Sequence, residues 1–177
     1  MVRRVYVEKK TEYAGKAREL EKEIKGFLGI TSAPKVRLFI RYDVENISEE
    51  VYKQACTVVF CEPPVDMLYE EKLPLPDSAE DTHIFSVEAL PGQFDQRADS
   101  AEQCIRFLKG DEAPVVRTAV TYMLTGNLPE DELARIKAHV MNPVDSRVAG
   151  EDKPERLLEV YPEPADVSVL KGFTSMD

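Results

Sequence analysis

The chain repeats itself. Displaced by 80 positions, the sequence aligns Val7-Glu8 with Val87-Glu88, Phe27-Leu28 with Phe107-Leu108, Ala33-Pro34 with Ala113-Pro114, Val36-Arg37 with Val116-Arg117 and Tyr42 with Tyr122, nine identities without a gap. One inserted residue carries the match through Glu45–Glu50 (ENISEE) against Gly126–Asp131 (GNLPED), and it closes on Pro64-Val65-Asp66 against Pro143-Val144-Asp145. A unit of this length has one apolar sheet face and helices that are only half covered, so two units fold by burying those faces together.

Within the first copy, Arg3 to Lys9 alternates and is rich in β-branched and aromatic residues, which predicts a strand. Over residues 12–28 the positions Tyr13, Ala17, Leu20, Ile24, Phe27 and Leu28 fall at spacings of three and four, one apolar stripe of a helix that Gly29 stops. Lys35 to Val44 predicts a second strand. Ser48 caps a second helix, with Glu49 and Glu50 at its positive pole. The second copy predicts strands at His83–Leu90 and Val115–Leu124, a helix from Ala98 to Leu108, and another from Pro129, read as a first helical position, to Met141. The expected fold is α+β: internally duplicated β-α-β-α units in one pseudo-two-fold domain, a shared sheet with helices on one side. Residues 1–66 and 82–148 are the two repeats. Residues 67–81, with two prolines among acids, read as an exposed connector, and 149–177 as an extended linker and the start of a following domain.

Charge excludes some functions. With 33 Asp+Glu against 23 Lys+Arg the net charge is −10, the wrong sign for gaining affinity by neutralising phosphates, so nucleic acid is not an expected partner. No apolar run approaches the roughly 18 residues of a membrane helix, and no signal-peptide core follows Arg3 and Arg4, which predicts a cytoplasmic protein with no membrane partner. Cys56, Cys61 and Cys104 form no C-x-x-C pair and only His83 and His139 accompany them, so no metal site is expected. Phosphate-loop, dinucleotide, hydrolase-elbow and zincin motifs are all missing. Cys104, beside Ile105 and Leu108, reads as a buried structural thiol. His139 reads as a solvated residue at a helix's negative pole.

One segment exceeds what folding requires. In residues 90–104 (LPGQFDQRADSAEQC) the Pro91-Gly92 turn and an Asp95 cap explain the strand-to-helix crossing, but not Gln93, Gln96, Arg97 and Asp99 together. The first copy has an ordinary charged helix start there, so the elaboration predicts either a docking surface or a polar passage; a well-capped exposed turn is the plain alternative. Asp145 and Arg147 are smaller candidates, placed to pair with each other at little energetic gain.

The blocks VRRVYVEKK, EPPVD, LPGQFDQRADSAEQC, VRTAVTYMLTGNL and NPVDSR, in this order, resemble the N-terminal region of the large single-chain phosphoribosylformylglycinamidine synthase (FGAR amidotransferase) of purine biosynthesis, over essentially all of the chain. That family's region is similar to two fused copies of the small PurS-type bridging subunit. The resemblance implies an assembly role. The synthetase and glutaminase domains of the same polypeptide would be the partners, ATP and Mg²⁺ would serve the whole enzyme, and this segment would hold no catalytic or cofactor residue. A self-standing small-molecule-binding regulatory domain of paired β-α-β units is the competing expectation.

Overall fold

The computed structural model describes residues 1–32, 34–76, 81–111 and 113–158. Its regular elements are β1 (Arg3–Lys9), α1 (Gly15–Gly26), β2 (Lys35–Glu45), α2 (Glu49–Val58), β3 (Asp66–Glu70), β4 (Thr82–Ala89), α3 (Gln96–Leu108), β5 (Val115–Thr125), α4 (Glu130–Val140) and β6 (Ser146–Ala149). The fold is α+β, a six-stranded antiparallel sheet in the order β3-β1-β2-β5-β4-β6 with four helices. The longest pairing, β2 with β5, is central and sets Ile40 opposite Val120; outside it Val5 faces Tyr42 and Phe85 faces Tyr122.

Alternation along the strands decides where the helices lie. Val5 and Val7 of β1, Tyr42 and Val44 of β2 and Val116 of β5 share a core with Val51, Tyr52 and Ala55 of α2 and Ala98, Ala101 and Ile105 of α3. Val36, Phe85 and Leu124 share another with Ala17, Leu20 and Ile24 of α1 and Ile136 of α4. All four helices therefore cover one sheet face. Intervening positions, among them Arg4, Glu8, Arg37, Arg41, Asp43, Ser86 and Thr121, point to the other face, and they too are shielded from solvent.

The chain after β6 covers Arg4, Arg41 and Asp43, while Glu8 and Arg37 pair with each other beside Tyr69 and Pro74. Arg4 grips Asp43 with Nε and Nη2 at 2.6 and 2.9 Å and donates Nη1 to the Glu151 carbonyl at 2.6 Å, while Arg41 donates Nη1 to the Gly150 carbonyl at 3.0 Å. Burial is the largest single effect on Arg4 and opposes its charge, but the hydrogen bond and charge of Asp43, joined by those of Tyr6, together outweigh it and raise the guanidinium pKa. Leu157 is 1% exposed and donates its N–H to Glu45 Oε2 at 2.7 Å, which holds the Glu45 carboxyl below its ordinary value. Residues 150–157 thus form a strap over the polar face. Prolines and acids made them read as linker; it is the strap's main-chain carbonyls that satisfy the buried arginines. The rest of the expected linker and following domain, 159–177, lies outside the described residues, as do 77–80 of the expected connector.

Other expectations need correction. Asp66–Glu70 form β3, so the connector begins with an edge strand paired to β1, and Pro74 beyond it accepts from Arg37 at 2.9 Å. The 12–28 helix divides into a 3-10 turn, Thr11–Tyr13, and α1, because Tyr13 N–H closes on the Lys10 carbonyl; Tyr13 and Phe27 face outward. Pro129 stands just before α4 as its cap residue, its carbonyl accepting from Leu133. The Pro-Val-Asp match slips by one residue: Asp66 accepts from Glu62 N–H where Ser146 Oγ accepts from Asn142 N–H, each closing the same turn. Cys104 is exposed, because α3 buries Ala98, Ala101 and Ile105 and turns Cys104 and Phe107 away.

Candidate functional site

The segment Leu90–Arg97 leaves β4 by a turn in which Leu90 N–H donates to the Asp145 carbonyl and Gln93 N–H to the Leu90 carbonyl; Gly92 takes φ +85°, a conformation that suits glycine. Asp95 then fixes α3. Its Oδ1 accepts from Ala98 N–H at 2.9 Å, and its Oδ2 accepts from Thr118 N–H at 3.1 Å and Thr118 Oγ1 at 2.9 Å. One carboxylate caps the helix and ties it to β5, so Asp95 is a structural residue at the site's base.

This turn brings Gln93, Asp95, Gln96, Arg97 and Asp145 around one open cleft of 410 Å³, floored by β4 and β5. Asp99 and Arg147 do not line it. Asp99 accepts from Gln103 Nε2 at 2.7 Å along the outside of α3. Arg147 does not pair with Asp145: it reaches across the strand pair to Glu88, Nε at 2.9 Å and Nη2 at 2.8 Å, while Asp145 accepts from Asn142 Nδ2 at 3.0 Å. Phe94, which the sequence reading passes over inside the flagged segment, is 74% exposed on the cleft's rim.

A groove of 490 Å³ runs beside the cleft, between α2 and α3. Gln96 and Arg97 line both, and the groove continues past Ser100, Ala101 and Cys104, opposite Val59 and down to Tyr42 on β2. Val58 and Phe107, 66% and 87% exposed, stand at the ends of the two helices that flank it. The signal that could have found this surface is the pair of apolar residues, Val58 and Phe107, that fall off the buried stripes of their helices.

The other helix pair is closed. Between α1 and α4, Ser32 Oγ donates to Glu132 at 2.6 Å, Arg135 donates to the Leu28 carbonyl, and His139 Nε2 meets Glu23 Oε2 at 3.0 Å beside the Phe27 ring. His139 is thus a paired residue and not a merely solvated one.

The cleft is lined by hydrogen-bond donors and acceptors, and the groove adds the exposed Cys104 thiol. Burial pushes the Cys56 thiol up to about 11 and raises Cys61, so neither is an activated nucleophile. Among the described residues no group of three or more His, Cys, Asp or Glu is placed to hold a metal ion, and no helix is long and apolar enough to cross a membrane. Compared with family models, curated proteins and solved structures, the chain matches none.

Proposed function

We propose that this chain is the N-terminal assembly domain of an ATP- and glutamine-dependent FGAR amidotransferase, a domain without chemistry of its own that bridges the glutaminase and synthetase parts of the same polypeptide. The observation that carries this reading is the cleft: Gln93, Gln96 and Arg97 converge on it with no side-chain partner among the described residues, and the strand-to-helix crossing needs none of them. Such a bridge has a physical purpose. Ammonia released to water at neutral pH becomes ammonium, which is not nucleophilic, so a sealed contact between the two active parts preserves the reactant.

We infer also that the domain is an internal duplication about a pseudo-two-fold axis. Supporting this, the strand order reads as β3-β1-β2 followed by its reverse, β5-β4-β6, and Ile40 faces Val120, the residue 80 positions on. The flanking registers support it too: Tyr6 faces Tyr69 as Ser86 faces Ala149, and Glu21 accepts from Val36 N–H as Glu102 accepts from Val116 N–H. A small-molecule sensor would need to enclose its ligand, whereas Gln93, Gln96 and Arg97 are all exposed.

The test is a ratio. In the complete amidotransferase polypeptide, Arg97→Ala lowers glutamine-dependent amidine formation while ammonia-dependent formation persists, and the pure 177-residue chain releases no ammonia from glutamine. An unchanged ratio, or glutaminase activity in the pure chain, overturns the reading.

A further inference from the structure

Of the eleven arginines in the chain, Arg97 is the one left without a hydrogen-bond or ion-pair partner among the described residues. In a chain carrying ten more acids than bases, this is an uncompensated positive point on the ridge between the cleft and the α2–α3 groove. From it α3 runs a straight exposed ridge, Arg97, Ser100, Cys104 and Phe107, at steps of three, four and three. These span about 15 Å at 1.5 Å per residue. Across the groove Val59 supplies apolar surface and Tyr42 its floor, with Val58 exposed beside Val59 at the end of α2.

We propose that the α2–α3 groove binds a helix of the protein partner, one that sets a carboxylate against Arg97 and apolar side chains along Cys104, Phe107 and Val58. A third helix laid between two neighbours meshes its i, i+3, i+4 and i+7 positions with their ridges. The matching helix is about three turns long and places its acid at one end of the apolar stripe. Charge complementarity selects it. A planar guanidinium takes a carboxylate through two parallel bonds, and the Gln93 and Gln96 amides beside it can donate or accept around that pair. The α1–α4 pair offers no such seat, since Glu23–His139 and Arg135–Leu28 stitch it shut. This inference rests on the docking reading of the cleft, but not on the identity of the amidotransferase.

The experiment uses the 177-residue chain with displayed peptides of about 16 residues, long enough for the three turns. Peptides enriched on the wild type are expected to carry Asp or Glu at one end of an apolar helical stripe. They slow alkylation of Cys104 by at least about tenfold and bind R97E about tenfold more weakly, and exchanging the peptide's acid for lysine restores binding to R97E. Arg97 is exposed and unpartnered, so the charge reversal leaves the fold in place. Enriched peptides that lack an acid, bind R97E equally, or leave Cys104 alkylation unchanged overturn the proposal, as does a failure to enrich any peptide. Displacement of the peptide by millimolar phosphate or glutarate overturns it in favour of a small-anion site. None of these outcomes alters the glutamine-to-ammonia ratio, so the two readings fail separately.

Discussion

Leu157→Ala separates a strap from a linker. Leu157 is almost wholly buried against the charged sheet face and anchors the end of residues 150–157 through its N–H to Glu45. Leucine-to-alanine changes in buried sites cost about 2–5 kcal/mol, the low end where the surroundings collapse readily. Here a 180 Å³ cavity already adjoins the side chain, lined by Arg4, Arg41 and Asp43, and the strap is free to settle, so about 2 kcal/mol is the appropriate figure. That shifts the equilibrium for local opening by about thirtyfold. Trypsin reads it directly. Arg156 is exposed but its scissile bond ends on Leu157, while Lys153 is followed by Pro154, a bond trypsin does not cut. When opening is fast relative to cleavage, the cutting rate follows the open population, so the variant is cut at Arg156 about thirtyfold faster than the wild type. Equal rates for the two, or immediate cutting of the wild type at Arg156, refute the reasoning: the segment would then be an unattached linker.

Asp95→Ala removes a helix cap and strands the Thr118 donors, at a cost of about 2 kcal/mol in urea denaturation; a loss below about 0.5 kcal/mol would show that the carboxylate is dispensable. Glu45, held below 4.5 by the Leu157 N–H, contributes stability that is present above pH 4.5 and is lost as pH falls through its lowered pKa. Hydrogen exchange at the Leu157 amide should therefore distinguish wild type from Glu45→Gln at about pH 6, with the difference shrinking as pH falls below 4.5; a difference that grows in acid contradicts this. With Cys56 pushed up to about 11, only about a thousandth of it is thiolate at pH 8. Iodoacetamide therefore modifies exposed Cys104 first in the native chain, and mass mapping that finds Cys56 modified first would contradict the burial argument.

Strands and helices with a single buried stripe were legible: β1 runs over the expected residues, and Ser48 and Asp95 cap their helices, accepting from Val51 and Ala98 N–H. The edge strand β3 was not. Its residues DMLYE alternate only twice and sit among prolines and acids, so composition overrode periodicity. The strap was invisible for a deeper reason. Its grip on the buried arginines comes from the carbonyls of Gly150, Glu151 and Asp152, groups every residue possesses, and Leu157 is the one side chain of residues 150–157 that is buried. For the same reason nothing in the sequence marks Arg4, Arg41 and Asp43 as buried. At the candidate site the polar residues were legible, since Gln93, Gln96 and Arg97 exceed what a turn needs. The groove beside them was not, because it arises from two helices that meet only in space, and Cys104 stands one residue off the buried stripe of α3, Ala98, Ala101 and Ile105.

The central β2–β5 pair sets the order of events as the chain folds. Lys35 pairs with Thr125 and Glu45 with Val115, so the longest ladder in the sheet joins residues 70 to 90 positions apart. Within each half, 1–76 and 81–158, the three strands pair through contacts closer in sequence, whereas this ladder and the helix cores shared by α2 with α3 and α1 with α4 form only where the halves meet. Loop closure over that distance is paid late, and high contact order slows the final step. In physical terms the central ladder joins two tethered halves, and the 71–81 connector sets their effective concentration for each other.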